Sequence, residues 1–191
     1  MSKSEQIRKL VVMALLVAVS VVLIYAIHFP LIPAASFLEY DPADIPILIG
    51  ALAYGPAAGV MLTVVASVIQ GLTVSASSGL YGIVMHIIAT STLVIVASSI
   101  YKVRHTKSGA VLALVCGTLA MGLIMMPANH FITPMFTGWP TEAVDALLIP
   151  GILPFNLLKA GINSVITFLV YKTVSRHIIH SASWEHKHTR A

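Results

Sequence analysis

The sequence is poor in charged residues. Asp, Glu, Lys and Arg make up 9% of its 191 residues, whereas a soluble domain carries about 25% charged residues. Hydrophobic residues make up 58% of the chain, and its mean hydropathy is +0.93. A protein with so few charges would precipitate in water, so we expect lipid to face most of its surface.

Cysteine is also scarce, and the sequence lacks the patterns of a disulfide, a metal site or an ATPase. Cys116 is the single cysteine, so it can form neither an intramolecular disulfide nor a thiolate metal site. Four histidines lie near the C-terminus: His177, His180, His186 and His188. Their spacing does not fit a compact metal site. No metal site is predicted. The chain has no Walker motif, so it cannot drive transport with ATP by itself.

Apolar runs predict an all-α integral membrane protein, a compact bundle of six transmembrane helices. A span needs about 20 apolar residues, which limits this chain to about six or seven spans with short loops. The six runs are about Ile7–His28, Ala43–Tyr54, Ala57–Val74, Leu80–Tyr101, Gly109–Phe131 and Leu147–Val174.

Turn signals and composition complete this division. Gly55-Pro56 separates the second run from the third, and Pro150-Gly151 and Pro154 interrupt the start of the sixth. Longer loops are predicted over Phe29–Pro42 and Ile132–Ala146. Residues 1–176 form the predicted membrane domain, and residues 177–191 are expected to be a disordered, His-rich cytoplasmic tail.

The loop charges predict the orientation. Six spans place both termini and the loops after the second and fourth runs on one side. That side collects the basic clusters, which are Lys3, Arg8 and Lys9; Lys102, Arg104 and Lys107; and Lys172 and Arg176. The opposite side receives the acidic residues Glu39, Asp41, Asp44, Glu142 and Asp145. By the positive-inside rule both termini are cytoplasmic, and a seven-span count would break the asymmetry.

Lys159 is the outstanding polar residue within the apolar runs. Ionisable groups at membrane depth are costly and usually mark function. Asn156 lies three residues earlier and shares a helix face with Lys159, so the two can bind a polar ligand by charge and hydrogen bonds. The alternative is that Lys159 extends to an interface or pairs with an acidic residue such as Asp44.

An acidic segment precedes the second run. Glu39 and Tyr40 lie in the loop that would cover an outward-facing pocket, and Asp44 begins the run itself. Helix N-capping or solvation in the loop is the alternative for Asp41 and Asp44. For Glu39 the alternative is a solvated loop carboxylate.

Three further polar residues lie in the third, fourth and fifth runs: Gln70, His86 and Asn129. Each could instead hydrogen-bond a neighbouring helix. Taken together they would line the outer half of the bundle, towards the acidic loop. The predicted ligand-binding set is Glu39, Tyr40, Asp44, Gln70, His86, Asn129, Asn156 and Lys159. In the first run, Ala14 and Ala18 are small residues four apart, a spacing that lets another helix approach closely.

Three segments resemble the substrate-binding S-components of energy-coupling factor (ECF) transporters, and among them the riboflavin-binding group. They are Leu38–Pro46, Tyr54–Gly59 and Gly151–Lys159, the last with an unusual Pro-Phe-Asn-x-x-Lys inside a span. The resemblance implies a six-helix, non-catalytic protein that binds a vitamin with high affinity in an outward-facing pocket. The loop after the first span would cap that pocket.

The same resemblance implies partners and contacts. The chain would dock on a transmembrane coupling subunit that two ATPases drive, through Ala14 and Ala18. Flavin contacts would map onto the loop after the first span and onto Asn156 and Lys159. We therefore expect a multi-pass protein of the bacterial plasma membrane that mediates uptake of riboflavin or a related flavin, as a transported substrate and not as a cofactor.

Three alternatives stay open to different degrees. Riboflavin-binding members carry a Lys-Asn pair in the third helix, where this chain reads Ala66-Ser67-Val68-Ile69-Gln70, so another vitamin or heterocycle is one alternative substrate. A stand-alone secondary carrier is another, although no internal repeat is evident. An intramembrane enzyme would need paired acids, a Ser–Lys or Ser–His arrangement or a metal cluster, and no enzymatic activity is expected.

Overall fold

The computed structural model describes residues 2–35 and 37–174, so the tail predicted over 177–191 lies outside the described residues. The helices are α1 (Lys3–Ala26), α2 (Asp44–Tyr54), α3 (Pro56–Leu72), α4 (Gly79–Val103), α5 (Lys107–Thr137), α6 (Thr141–Leu147) and α7 (Leu153–Val174). The α1–α2 loop (27–43) carries two short antiparallel strands, β1 (Phe29–Pro30) and β2 (Glu39–Tyr40). The predicted helical architecture is confirmed.

Within the part of the chain that the structure describes, four helical stretches are long and apolar enough to span a membrane: α1, α4, α5 and the continuous stretch Thr141–Tyr171. The apolar helices α2 and α3 are shorter. At 11 residues, α2 is only about 16 Å long at 1.5 Å per residue. The six apolar runs are therefore six helical segments, while the number that cross the bilayer stays a prediction.

The helix α2 lies at the centre of the bundle. It is apolar around its whole circumference, as is typical of a helix buried on all sides, and Ile47, Leu48 and Ala51 are fully buried. It packs against α1, α3, α4 and α7. Gly55 ends it with φ +90°, a conformation that glycine adopts without strain. Pro56 then begins α3 at the first helical position, so the predicted Gly55-Pro56 turn is confirmed.

The predicted loop over Ile132–Ala146 is wrong. Helix α5 continues past Phe131 and through Pro134 to Thr137, and α6 follows after three residues. A proline removes one backbone hydrogen bond from a helix, but side chains and neighbouring helices can compensate for that loss in a membrane helix. The helix ends instead at Gly138, which has φ +71° and donates its N–H to the Pro134 carbonyl.

The predicted interruption near Pro150 takes the form of a π-helical turn, Leu148–Ile152, between α6 and α7. A Cβ atom added at Gly151 would lie 3.2 Å from the Cβ of Ala35. The α1–α2 loop is thus packed directly against the start of α7.

Ring contacts define two ends of the bundle. At one, which we call the basic end, the Lys9 ammonium lies 5.4 Å from the centre of the Tyr54 ring, and Tyr101 contacts Tyr171. The N-terminal part of α1 therefore meets the C-terminal end of α2, and the C-terminal ends of α4 and α7 meet each other. At the other, the acidic end, Phe37 contacts Trp139 and Tyr81 contacts Phe136. The helices alternate between these ends.

Candidate functional site

A cavity of about 600 Å³ lies at the acidic end, enclosed by α1, the α1–α2 loop, α3, α4, α5 and α7. Small-molecule sites are typically concave spaces of about 300–1,000 Å³. Six of the eight predicted site residues line it: Glu39, Gln70, His86, Asn129, Asn156 and Lys159. Tyr40 and Asp44 do not line the cavity but hydrogen-bond to residues around it.

The side of the cavity formed by α5 and α7, which we call the α5–α7 wall, combines apolar and amide groups. Its members are Met121, Met125, Asn129, Phe155, Asn156 and Lys159. The Asn129 amide donates to the Met125 carbonyl at 2.8 Å and accepts from the Thr133 hydroxyl at 2.8 Å. The Asn156 amide donates to the Ile152 carbonyl at 2.8 Å. Both amides are therefore held in fixed orientations within their own helices.

Lys159 is paired, and its partner is Asp41. The lysine Nζ donates to Asp41 Oδ2 at 2.6 Å, and the two residues are 7% and 3% exposed. The alternative that Lys159 extends to an interface is therefore wrong, and the alternative of pairing holds with Asp41 in place of Asp44. Because Nζ carries three donors, the ammonium can still donate to a ligand in the cavity. The pair also connects the α1–α2 loop to α7.

Asp44 is fully buried and does not cap α2. The N-cap position is Ala43, without a side-chain bond, so capping and loop solvation are both wrong for Asp44. Its carboxylate accepts from the Thr90 hydroxyl at 2.7 Å and from the Asn163 amide at 3.1 Å. Loop solvation is wrong for Asp41 as well, because its Oδ1 accepts from the Ala43 N–H in a buried bond.

Asn163 was not predicted from the sequence, yet it connects several parts of the site. It accepts from the Tyr40 hydroxyl at 3.0 Å and donates to the Asp41 carbonyl at 3.1 Å. Burial, with the charge of Asp41 adding to it, raises the pKa of the Tyr40 phenol, which therefore keeps its proton. Asn156, Lys159 and Asn163 recur at helical spacing, and this periodicity is the sequence signal that could have identified Asn163.

The opposite side of the cavity is formed by α3, α4 and the turn between them, and we call it the α3–α4 wall. Of its residues, Gln70 and His86 were predicted from the sequence. His86 faces Asp44 Oδ1 through Nε2 at 3.3 Å and Ser67 Oγ through Nδ1 at 2.9 Å. Gln70 donates from Nε2 to Ser75 Oγ at 3.4 Å, while its Oε1 is buried and has no hydrogen-bond partner within 2–35 and 37–174. Ser67 carried no sequence signal, because a serine within an apolar helix is common.

Ser67, His86 and Asp44 share the residue types of a hydrolase triad. A nucleophilic serine also needs donors that stabilise an oxyanion, which can be backbone N–H groups or polar side chains. Ser67 lies inside α3, where the N–H groups around it are occupied by helical hydrogen bonds. The helix backbone therefore offers no oxyanion hole at Ser67, and the three residues form a hydrogen-bond chain. Within 2–35 and 37–174, no group of three His, Cys, Asp or Glu residues is placed to hold a metal ion.

Ala14 and Ala18 lie away from the cavity, on the exposed face of α1. The opposite face of the helix packs into the core through Val12, Leu16 and Ile24. The predicted docking residues are thus accessible at the outer surface of the bundle.

The family model described as "ECF transporter, substrate-specific component" matches residues 8–171. The chain is 28% identical over 174 residues to the riboflavin transporter FmnP of Bacillus subtilis strain 168, covering 87% of this chain and 91% of that protein. It is 30% identical over 172 residues to the riboflavin transporter RibU of Streptococcus thermophilus, covering 86% and 81%.

Two solved structures share the fold. One is the S component of a bacterial ECF transporter, with a TM-score of 0.79 and 23% identity over 90% of this chain and 97% of the other. The second is ThiT from Listeria monocytogenes, with a TM-score of 0.62 and 16% identity over the same shares. At these identities the likeness shows the fold alone.

Proposed function

The chain belongs to the family of ECF transporter substrate-specific components, and from that premise we propose that it captures riboflavin for uptake into a bacterial cell. The family and its several apolar helices make it a multi-pass membrane protein. Its relatives are transporter components and not enzymes. In this proposal riboflavin is the transported substrate, and no cofactor is required.

The observation that carries this proposal is the cavity. Its volume of about 600 Å³ suits a vitamin-sized ligand. The α5–α7 wall offers Met121, Met125 and Phe155 to a planar ring, beside the polar groups of Asn156 and Lys159. A flavin has this combination, because its flat apolar ring system carries carbonyl and N–H groups along one edge. The two curated relatives above are riboflavin transporters by name.

We further propose how each predicted site residue takes part. Asn129, Asn156 and Lys159 contact the heterocycle, and Glu39 lies at the loop side of the ligand. Tyr40 and Asp44 act indirectly, through hydrogen bonds to other residues. Tyr40 bonds to Asn163 on α7, and Asp44 bonds to His86 on α4.

ATP-driven transport requires partners, because the sequence has no Walker motif. Members of this family work with other ECF transporter subunits. We propose a transmembrane coupling subunit and two ATPase subunits in the cell membrane, with Ala14 and Ala18 on the docking face. A stand-alone carrier is the competing possibility, and uptake by the purified chain in liposomes without partners would support it.

The first experiment is a riboflavin titration. We expect the purified protein to quench flavin fluorescence at about one ligand per chain, and a preparation that retains endogenous flavin to be yellow. Thiamine serves as the control vitamin and should not compete with riboflavin. A protein that binds thiamine or another heterocycle and leaves riboflavin fluorescence unchanged would contradict riboflavin as the substrate, while leaving the family assignment intact.

A further inference from the structure

The α3–α4 wall presents hydrogen-bond acceptors that lack donors. Gln70 Oε1 is buried with no hydrogen-bond partner among the described residues, and Gln70 lines the cavity. In the orientation that the amide adopts, Nε2 donates to Ser75 Oγ at 3.4 Å, and the oxygen is the unfilled group. A buried acceptor without a donor destabilises a folded protein. A ligand that supplies a donor here would remove that penalty on binding.

Ser67 presents a second acceptor. Its neighbours determine whether its hydroxyl donates or accepts in the hydrogen bond to His86. Asp44 is a carboxylate already held by Thr90 and Asn163, so the His86 nitrogen that faces it, Nε2, carries a proton. In the neutral imidazole Nδ1 is then an acceptor. With this tautomer the Ser67 hydroxyl donates to Nδ1, which lies 2.9 Å away, and a lone pair is left on an oxygen that is buried at the lining of the cavity.

We propose that Ser67 Oγ and Gln70 Oε1 form an acceptor pair that binds hydroxyl groups of the ligand's polyol chain. The inference rests on the proposed function and adds the orientation of the flavin within the cavity. Ser67 and Gln70 are three residues apart on α3 and therefore share one face. Asp44 and His86 are positioning residues, because they fix the direction in which the Ser67 hydroxyl donates.

The remaining lining of the α3–α4 wall agrees with this orientation. Gly71, Ser75, Ser78 and Gly82 are small residues there, and they leave room for a slender, flexible chain. Met121, Met125 and Phe155, which suit a planar ring, lie on the α5–α7 wall, whereas α4 contributes Tyr81 and Met85 to the lining. Among the lining residues that the structure describes, Lys159 is the one Lys or Arg. Neutral hydroxyl groups therefore match the α3–α4 wall better than a phosphate ester does.

The test compares two flavins on the same variants. Riboflavin carries the polyol, and lumiflavin carries a methyl group in its place. We expect Ser67→Ala and Gln70→Met each to weaken riboflavin binding by roughly threefold to tenfold, the cost of one neutral hydrogen bond. Lumiflavin binding should change by less than about twofold, since the missing contacts are ones that lumiflavin never makes. Gln70→Glu keeps the acceptor oxygen and is the matched control, which should retain more riboflavin affinity than Gln70→Met.

A double-mutant cycle tests the positioning role of His86. His86→Phe removes the Nδ1 acceptor while keeping a ring of similar size, so it should weaken riboflavin selectively, as Ser67→Ala does. The Ser67→Ala/His86→Phe double variant should lose little more than either single variant, because both act through the same hydroxyl. Fully additive losses would contradict the positioning role. Thermal unfolding of each variant confirms that it is folded.

Two further outcomes separate this proposal from the proposed function. Equal losses for riboflavin and lumiflavin, or no loss for riboflavin, would overturn the assignment of the polyol to the α3–α4 wall. If the parent protein binds neither flavin, the proposed function itself is contradicted.

Discussion

At the scale of single residues, the Lys159–Asp41 pair joins α7 to the α1–α2 loop at the lining of the cavity. Each residue is buried beside the cavity, and they lie 118 positions apart in the sequence. Removing one member of a buried ion pair typically costs about 3–5 kcal/mol, because the other charge is left without compensation. Replacing both members by neutral residues is often far less costly.

A residue-scale prediction follows for Lys159→Met. The single variant should unfold at a clearly lower temperature than the parent, and Asp41→Asn/Lys159→Met should recover most of that loss. Riboflavin affinity should stay about tenfold to a hundredfold weaker in both, the cost of one hydrogen bond to a charged group. Thermal unfolding and fluorescence titration measure the two effects.

Asn156→Leu is the companion variant, because Asn156 lies on the same wall and takes no part in the ion pair. It should weaken riboflavin binding somewhat more mildly and leave the unfolding temperature nearer that of the parent. If Lys159→Met and Asn156→Leu both bind riboflavin as tightly as the parent, then the ligand does not contact this part of α7.

Single residues also show how much of the candidate site could be predicted from the sequence alone. Lys159 and Asn156 could be identified because polar groups are conspicuous in an apolar run. The partner of Lys159 could not, since Asp41 and Asp44 are three residues apart and only the folded loop decides which one faces the lysine. The hydrogen bonds that connect Ser67, His86 and Asp44 could likewise not be predicted, because they join three different helices.

At the scale of elements, α1 has one face in the core and one at the surface. Val12, Leu16 and Ile24 pack inwards, whereas Ala14 and Ala18 are exposed. Bulky side chains at the two alanines would therefore block the close approach of another helix without disturbing the core or the cavity.

We predict that Ala14→Trp/Ala18→Trp keeps the riboflavin affinity of the purified protein and abolishes uptake by cells. Val19→Trp is the matched control, because Val19 is exposed but lies about 100° around the helix from Ala18, and it should retain uptake. Loss of flavin binding in the double variant, or normal uptake by it, would argue against docking through this face.

Elements were predicted well where apolar periodicity was uninterrupted and less well where proline intervened. The runs assigned to α1, α2, α3 and α4 match the observed helices to within a few residues. The end of α5 was placed at Phe131 because Pro134 follows, although the helix ends at Gly138. A proline weakens a helix without ending it when the environment compensates, and that environment is not visible in the local sequence.

At the scale of the whole molecule, the two ends of the bundle carry opposite charge. At the acidic end the α1–α2 loop holds Glu39 and Asp41, and α6 holds Glu142 and Asp145. The three predicted basic clusters belong to the termini and to the loops at the basic end. The contact of Lys9 with Tyr54 and that of Tyr101 with Tyr171 bring the helix ends of the basic end together. Because the positive-inside rule favours a cytoplasmic location for such clusters, the cavity at the acidic end would open to the exterior.

This orientation can be tested by labelling single cysteines. Ser77 lies between α3 and α4 and Ser108 lies at the start of α5, so they mark opposite ends. Cys116 is first replaced by Ala, because it is the only native cysteine. In intact cells a membrane-impermeant maleimide should label Ser77→Cys, and Ser108→Cys should become labelled only after the membrane is permeabilised. Labelling of both sites from one side would contradict six alternating spans. Labelling of Ser108→Cys alone in intact cells would mean that the bundle has the inverse orientation. The cavity would then open to the cytoplasm, where it could not capture a vitamin from outside.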